Sequence, residues 1–84
     1  MMDWFVYIVE CADKSYYTGI TTNINRRILQ HNTNTFGSKY IRSRRPVHTV
    51  YIERKRSRST ALRRENEIKQ WSREKKQHLI LGQI

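Results

Sequence analysis

The chain has a single cysteine, Cys11, among 84 residues. One thiol excludes an internal disulfide and a zinc site built from cysteines. At the end of the run Trp4 to Cys11 it reads as a small buried hydrophobe. Long apolar runs are missing as well, and none approaches the roughly 18 residues of a membrane span. Met1-Met2-Asp3-Trp4 lacks the basic and apolar regions of a secretory signal. Internal repeats, low-complexity tracts and interdomain linkers are absent too. The expectation is one small cytoplasmic domain, residues 1–84, with no membrane partner. Its core is modest, so stability depends on good packing.

Acidic residues are also scarce: 7 stand against 17 lysines and arginines, for a net charge of +10. The imbalance is one-sided. Residues 1–25 hold Lys14 against Asp3, Glu10 and Asp13, net −2, while residues 26–84 hold the other 16 bases against Glu53, Glu65, Glu67 and Glu74, net +12. Such a footprint fits a polyanion. An acidic membrane surface is the competing partner, but no basic amphipathic helix with a wide aromatic face supports it.

What the chain does have begins with Trp4-Phe5-Val6-Tyr7-Ile8-Val9, an apolar, β-branched run of the kind found in strands covered on both faces. Ala12-Asp13-Lys14 supplies a turn, and Ser15 to Ile20 returns as a second strand. A three-residue turn between Cys11 and Ser15 pairs odd residues with odd ones. Tyr7 and Tyr17 then share a face, with Gly19 close to Tyr7 and leaving room above it. Thr21, Thr22 and Asn23 are candidate caps for a helix from about Ile24 to Asn32. Ile24 and Ile28 form its buried stripe, and Arg27 and His31, four apart, flank that stripe.

Residues 32–45 lack periodicity and are expected to form a loop. Lys39, Arg42, Arg44 and Arg45 surround Tyr40 there, a composition suited to a phosphate clamp with a stacking platform. His48 to Glu53 is a third strand. Ser57-Arg58-Ser59-Thr60 offers caps for a long helix through about Trp71, on which Leu62, Glu65 and Ile68 recur every three residues. A carboxylate at Glu65 on that stripe needs a partner, either an arginine of the first helix or a metal ion. Glu67 points elsewhere, as a surface charge. Ser72 caps a last helix from Arg73 to Leu81, with Leu79, Ile80 and Leu81 closing the core before Gly82. The order β-β-α-β-α-α gives an α+β fold: a small three-stranded antiparallel sheet, a hairpin plus a third strand, flanked by helices.

Phe5-Val6-Tyr7, Tyr17-Thr18-Gly19, the Arg27-x-x-x-His31 pair and Glu65 within Ala61–Lys69 occur in an order that resembles the GIY-YIG nuclease superfamily. The compact form, with Lys39-Tyr40 and Arg44-Arg45-Pro46, is similar to the small stand-alone bacterial subfamily of YhbQ-like proteins. Phe5 and Val6 replace the glycine and isoleucine of the first half-motif, and Ile20 stands where some members place a lysine. The resemblance implies an endonuclease that hydrolyses DNA phosphodiesters with one divalent cation, Mg²⁺ or Mn²⁺, held by Glu65. By the same resemblance Arg27 neutralises the phosphate, Tyr7 or Tyr17 handles the attacking water, and His31 relays a proton or holds a phosphate. Gly19, Lys39, Tyr40, Arg42, Arg44 and Arg45 complete the expected nucleic-acid contacts, DNA ahead of RNA. No separate targeting domain fits in this length, which implies weak specificity, self-association or a targeting partner. The alternatives are a binding module that keeps the fold and cleaves poorly, and an RNA- or ribosome-associated basic protein.

Overall fold

A computed structural model of the chain describes residues 2–33 and 39–84. Three strands, β1 (Trp4–Glu10), β2 (Tyr16–Thr21) and β3 (His48–Lys55), form one antiparallel sheet in the order β2-β1-β3. The expected order β-β-α-β-α-α stands, with one added turn of helix. Helix α1 (Ile24–Thr33) follows the hairpin, α2 (Lys39–Arg42) precedes β3, and α3 (Arg58–Lys69) and α4 (Arg73–Ile80) close the chain. Residues 39–42 therefore correct the loop expectation, although four residues are too few to show a helical period in sequence. Gly37 and Ser38 of that segment lie outside the described residues.

The central strand β1 is buried on both sides because its residues alternate between two clusters. Val6 and Ile8 pack with Ala61 and Ile68 of α3 and Leu79 of α4. Tyr7 and Val9 pack on the opposite face with Cys11, Ile41 and Val47, and with Ile24 and Ile28 of α1. Helices α3 and α4 thus cover one face, and α1 and α2 the other.

The caps follow sequence chemistry. Ser57 and Ser72 accept hydrogen bonds from the amides of Thr60 and Lys75 at the starts of α3 and α4, as serine N-caps do. Gly82, at φ +74°, ends α4 in the left-handed region that glycine tolerates. Leu81 corrects the expected core: it is 69% exposed, and Leu79 is the buried residue of that helix. Tyr51 and Arg64 both bond the Glu53 carboxylate, tying α3 to β3. Burial of the Tyr51 phenol and the adjoining carboxylate push its pKa up to about 12.

Candidate active site

The hairpin places the first two residues of the site. Cys11 N–H donates to the Ser15 carbonyl, and Lys14 takes the left-handed conformation within the three-residue turn. That parity pairs Tyr7 with Gly19 and Val9 with Tyr17, so Tyr7 and Tyr17 share the α1 face as the sequence predicts. Gly19 serves Tyr7 by what it lacks. A Cβ at position 19 would lie 2.5 Å from the Tyr7 hydroxyl oxygen, so only glycine leaves the phenol its place.

Helix α1 supplies the third. Thr21 and Asn23 lock the approach: the Thr21 hydroxyl accepts from the Asn23 amide, and the Asn23 side chain accepts from the Arg26 amide. Asn23, of the three candidates, is therefore the cap of the first turn. Ile24 and Ile28 are only partly buried, and the residue of α1 that is fully buried is His31. This corrects its expected place beside the stripe. His31 falls seven residues after Ile24, on the same helical face, and it has a polar partner there. Its Nε2 lies 2.8 Å from Tyr7 Oη in a buried hydrogen bond. The ring also meets Tyr17 edge-on, with centroids 5.5 Å apart.

Burial sets the resting charge of this pair. Desolvation raises the Tyr7 phenol far above its usual range. Tyr17 and Glu65 add to the rise, and Arg27 opposes it. The same desolvation, with Arg27 and Arg45 nearby, lowers His31 below its ordinary value of 6.5. Both rings are therefore neutral at neutral pH. Arg27 is exposed and acts on both groups, and it lines a polar cleft of about 200 Å³ with Thr21, Thr22, Asn23, Arg26 and Gln30. His31 bonds Tyr7, Tyr17 and Arg27 act on it electrostatically, and so does Glu65 from α3. The Glu65 side chain is 12% exposed and pairs with Lys69 at 3.5 Å. Of the two expected partners, an arginine of α1 or a metal ion, the arginine is not the one it has: an i,i+4 lysine on the same helix is closer to hand.

The expected clamp divides in two. Lys39 and Arg42 stand exposed on α2, with no carboxylate partner among the described residues. Arg44 is engaged within the protein: it bonds Asp13 of the hairpin turn at 3.0 Å and lies 3.8 Å over the Tyr40 ring, which in turn stacks on Tyr17. Arg45 donates to the main-chain carbonyl of His31. Sequence reasoning missed Asn32, whose carboxamide bonds both the N–H and the C=O of Val47 and pins the segment after α2 to the end of α1. An asparagine near a helix end has many uses, and its partner 15 residues away left no local signal. Among the described residues no group of three histidine, cysteine or acidic side chains is gathered for a metal. A single carboxylate such as Glu65 is a sparse donor set of the kind a hard divalent cation accepts. Such a hard cation keeps several waters and takes substrate phosphate oxygens as ligands.

A hairpin tyrosine pair, an arginine and histidine one helical turn apart, and a glutamate from a later helix define a class. The chain belongs to the GIY-YIG catalytic domain family, which it matches over residues 3–78. That membership suggests a nuclease domain and implies nucleic acid as its substrate, in a family that generally uses divalent metals. Within it the chain is similar to small stand-alone UPF0213 proteins. It is 58% identical over 77 residues to the UPF0213 protein DP2720 of Desulfotalea psychrophila, covering 92% of this chain and 70% of that one. It is 55% identical over 75 residues to the UPF0213 protein HQ_3675A of Haloquadratum walsbyi, covering 89% of this chain and 83% of that one. The solution structure of the UPF0213 protein BH0048 from Bacillus halodurans superposes with a TM-score of 0.60 at 44% identity, over 94% of this chain and 83% of that one.

Proposed function

We propose that this protein is a metal-dependent endonuclease that hydrolyses DNA phosphodiester bonds, with a preference for DNA over RNA and for branched or otherwise distorted structures. The observation that carries the reading is the buried, neutral Tyr7–His31 pair within electrostatic reach of both Arg27 and Glu65. A resting phenolate is not required. As a water oxygen bonds to phosphorus, its proton passes to Tyr7 Oη while the Tyr7 proton passes to His31 Nε2. The bond from phosphorus to the 3′-oxygen breaks, and that oxygen takes a proton from solvent. The bond from Tyr7 Oη to His31 Nε2 supports the relay over direct phosphate binding, because that nitrogen is already engaged. The hydrogen bond to His31 likewise favours Tyr7 over Tyr17 as the group that takes the water's proton, leaving Tyr17 to orient it.

Arg27 suits two non-bridging oxygens of the phosphate, since its planar fork matches them. Glu65 would hold the divalent cation, which when bound supplies Lewis-acid stabilisation of the leaving oxygen. Lys39, Arg42 and the Tyr40 ring contact the flanking strand, while Arg44 and Arg45 act mainly by holding Tyr40 and α1. The test is nicking of plasmid and branched DNA by the purified protein with Mg²⁺ or Mn²⁺. Glu65→Ala, Arg27→Ala and Tyr7→Phe should each lower the rate by two orders of magnitude or more, about 3 kcal/mol. A parent protein that binds DNA tightly and leaves every form intact would move it to the binding-module reading. Much tighter binding to RNA than to DNA at matched salt would reverse the substrate preference.

A further inference from the structure

The site uses the β1–β2 hairpin, α1, α2 and one residue of α3, and a second cationic surface remains where α3 meets α4. Trp71, between the two helices, has Lys75 Nζ 4.3 Å from its ring centroid and the Arg64 guanidinium at 5.1 Å. Arg73 lies 4.4 Å over the ring of Tyr16. Trp71 thus carries two cations and Tyr16 a third, each ring attraction restricting the freedom of its cation. Arg64 is neutralised by Glu53 and Glu67. Arg63, Arg73, Lys75 and Lys76 have no carboxylate partner among the described residues, and Glu74 is the acid that lies among them. Cations already restricted by a ring bind a polyanion with less loss of side-chain freedom.

The surface also has a defined relation to the site. β2 is an edge strand, and its consecutive tyrosines point to opposite faces: Tyr17 joins the Tyr7 cluster, and Tyr16 the α3–α4 cluster. One strand therefore separates the Tyr7 pocket from the Arg73 surface. We propose that the α3–α4 corner is a second nucleic-acid surface, with Arg73 and Lys75 gripping the phosphodiester backbone that flanks the strand bound at Tyr7. Its orientation rests on the nuclease reading, whereas its existence is tested by binding alone.

Arg73→Glu with Lys75→Glu changes two exposed residues outside the catalytic set. Binding of the full chain to a fluorescein-labelled duplex, followed by anisotropy across a salt series, should weaken about tenfold at physiological salt. The plot of log affinity against log salt should flatten by about two, near 0.9 per lost phosphate contact. Arg73→Gln with Lys75→Gln keeps the side-chain stems over the rings and should give the same flattening if the reversed charges disturb folding. Where cleavage is measured, KM should rise and kcat hold. Unchanged affinity and slope in both variants overturns the proposal, as does a loss confined to phosphatidylserine vesicles with duplex binding intact. A wild-type protein that never cleaves, while the variants still show the flattened slope, removes the nuclease reading and upholds this surface.

Discussion

At Gly19 the absence of one carbon decides where a phenol sits. Tyr7 is 2% exposed and bonded to His31, so it has nowhere to move when a Cβ arrives 2.5 Å from its oxygen. Gly19→Ala should cost about 1–3 kcal/mol of stability, the usual toll of overpacking, and should lower cleavage at least tenfold. Urea unfolding and single-turnover rates measure the two, and a variant with parental activity would show that Tyr7 need not stay in register with His31. The His31 imidazole gives a second test. Its folded pKa lies below 6.5 because burial and the Arg27 and Arg45 cations disfavour the charged ring. The unfolded chain therefore binds more protons in this window. The stability that depends on neutral His31 is complete above about pH 6.5 and is lost as pH falls through the folded value. Cleavage should follow the same direction, dropping up to about tenfold per pH unit on the acid side, because a protonated ring cannot accept from Tyr7. In His31→Gln the acid limb of both the melting and the rate profile should flatten.

Among the elements, the hairpin was legible from sequence and the end of α1 was not. Three turn residues fix parity, and parity fixes which side chains share a face, so Tyr7, Tyr17 and Gly19 followed from counting. His31 was misplaced because Ile24 and Ile28 already accounted for a stripe, and nothing local says that a buried tyrosine hydroxyl waits at the third position. Helix α2 is shorter than any period, and Asn32, Arg45 and Val47 meet only through tertiary contacts. Asn32→Ala tests that junction. It removes two hydrogen bonds to Val47 and should cost about 1–2 kcal/mol, with faster amide exchange at Val47 as the specific readout. On the other sheet face the Glu53–Arg64 fork ties α3 to β3, both side chains being mostly buried. Burial alone would raise the Glu53 pKa, but bonds from Lys55 and Tyr51 and the Arg64 charge hold it below the usual carboxylate range. A double-mutant cycle of Glu53→Gln and Arg64→Met should return a favourable coupling of about 1 kcal/mol, and a coupling of zero would mean that apolar packing alone sets the tilt of α3.

For the whole molecule, a net charge of +10 on 84 residues makes salt a primary variable. DNA affinity should fall steeply and linearly on a log–log plot, so activities at different ionic strengths are not comparable. The charge asymmetry was legible in the sequence, but its division into two faces was not, because that depends on the fold of α3 and α4 against the sheet. The hairpin turn bears on this division. With one tyrosine on each side of β2, the three residues 12–14 decide which tyrosine meets His31 and which meets Arg73. A one-residue insertion there, if it shifted the pairing of β2, would exchange the two sides: Tyr16 would enter the pocket and Thr18 would stand where the glycine gap belongs. An insertion of two restores the parity. Among relatives that keep this site, turn length should therefore vary in steps of two, an arithmetic constraint on a loop whose side chains are themselves free to change.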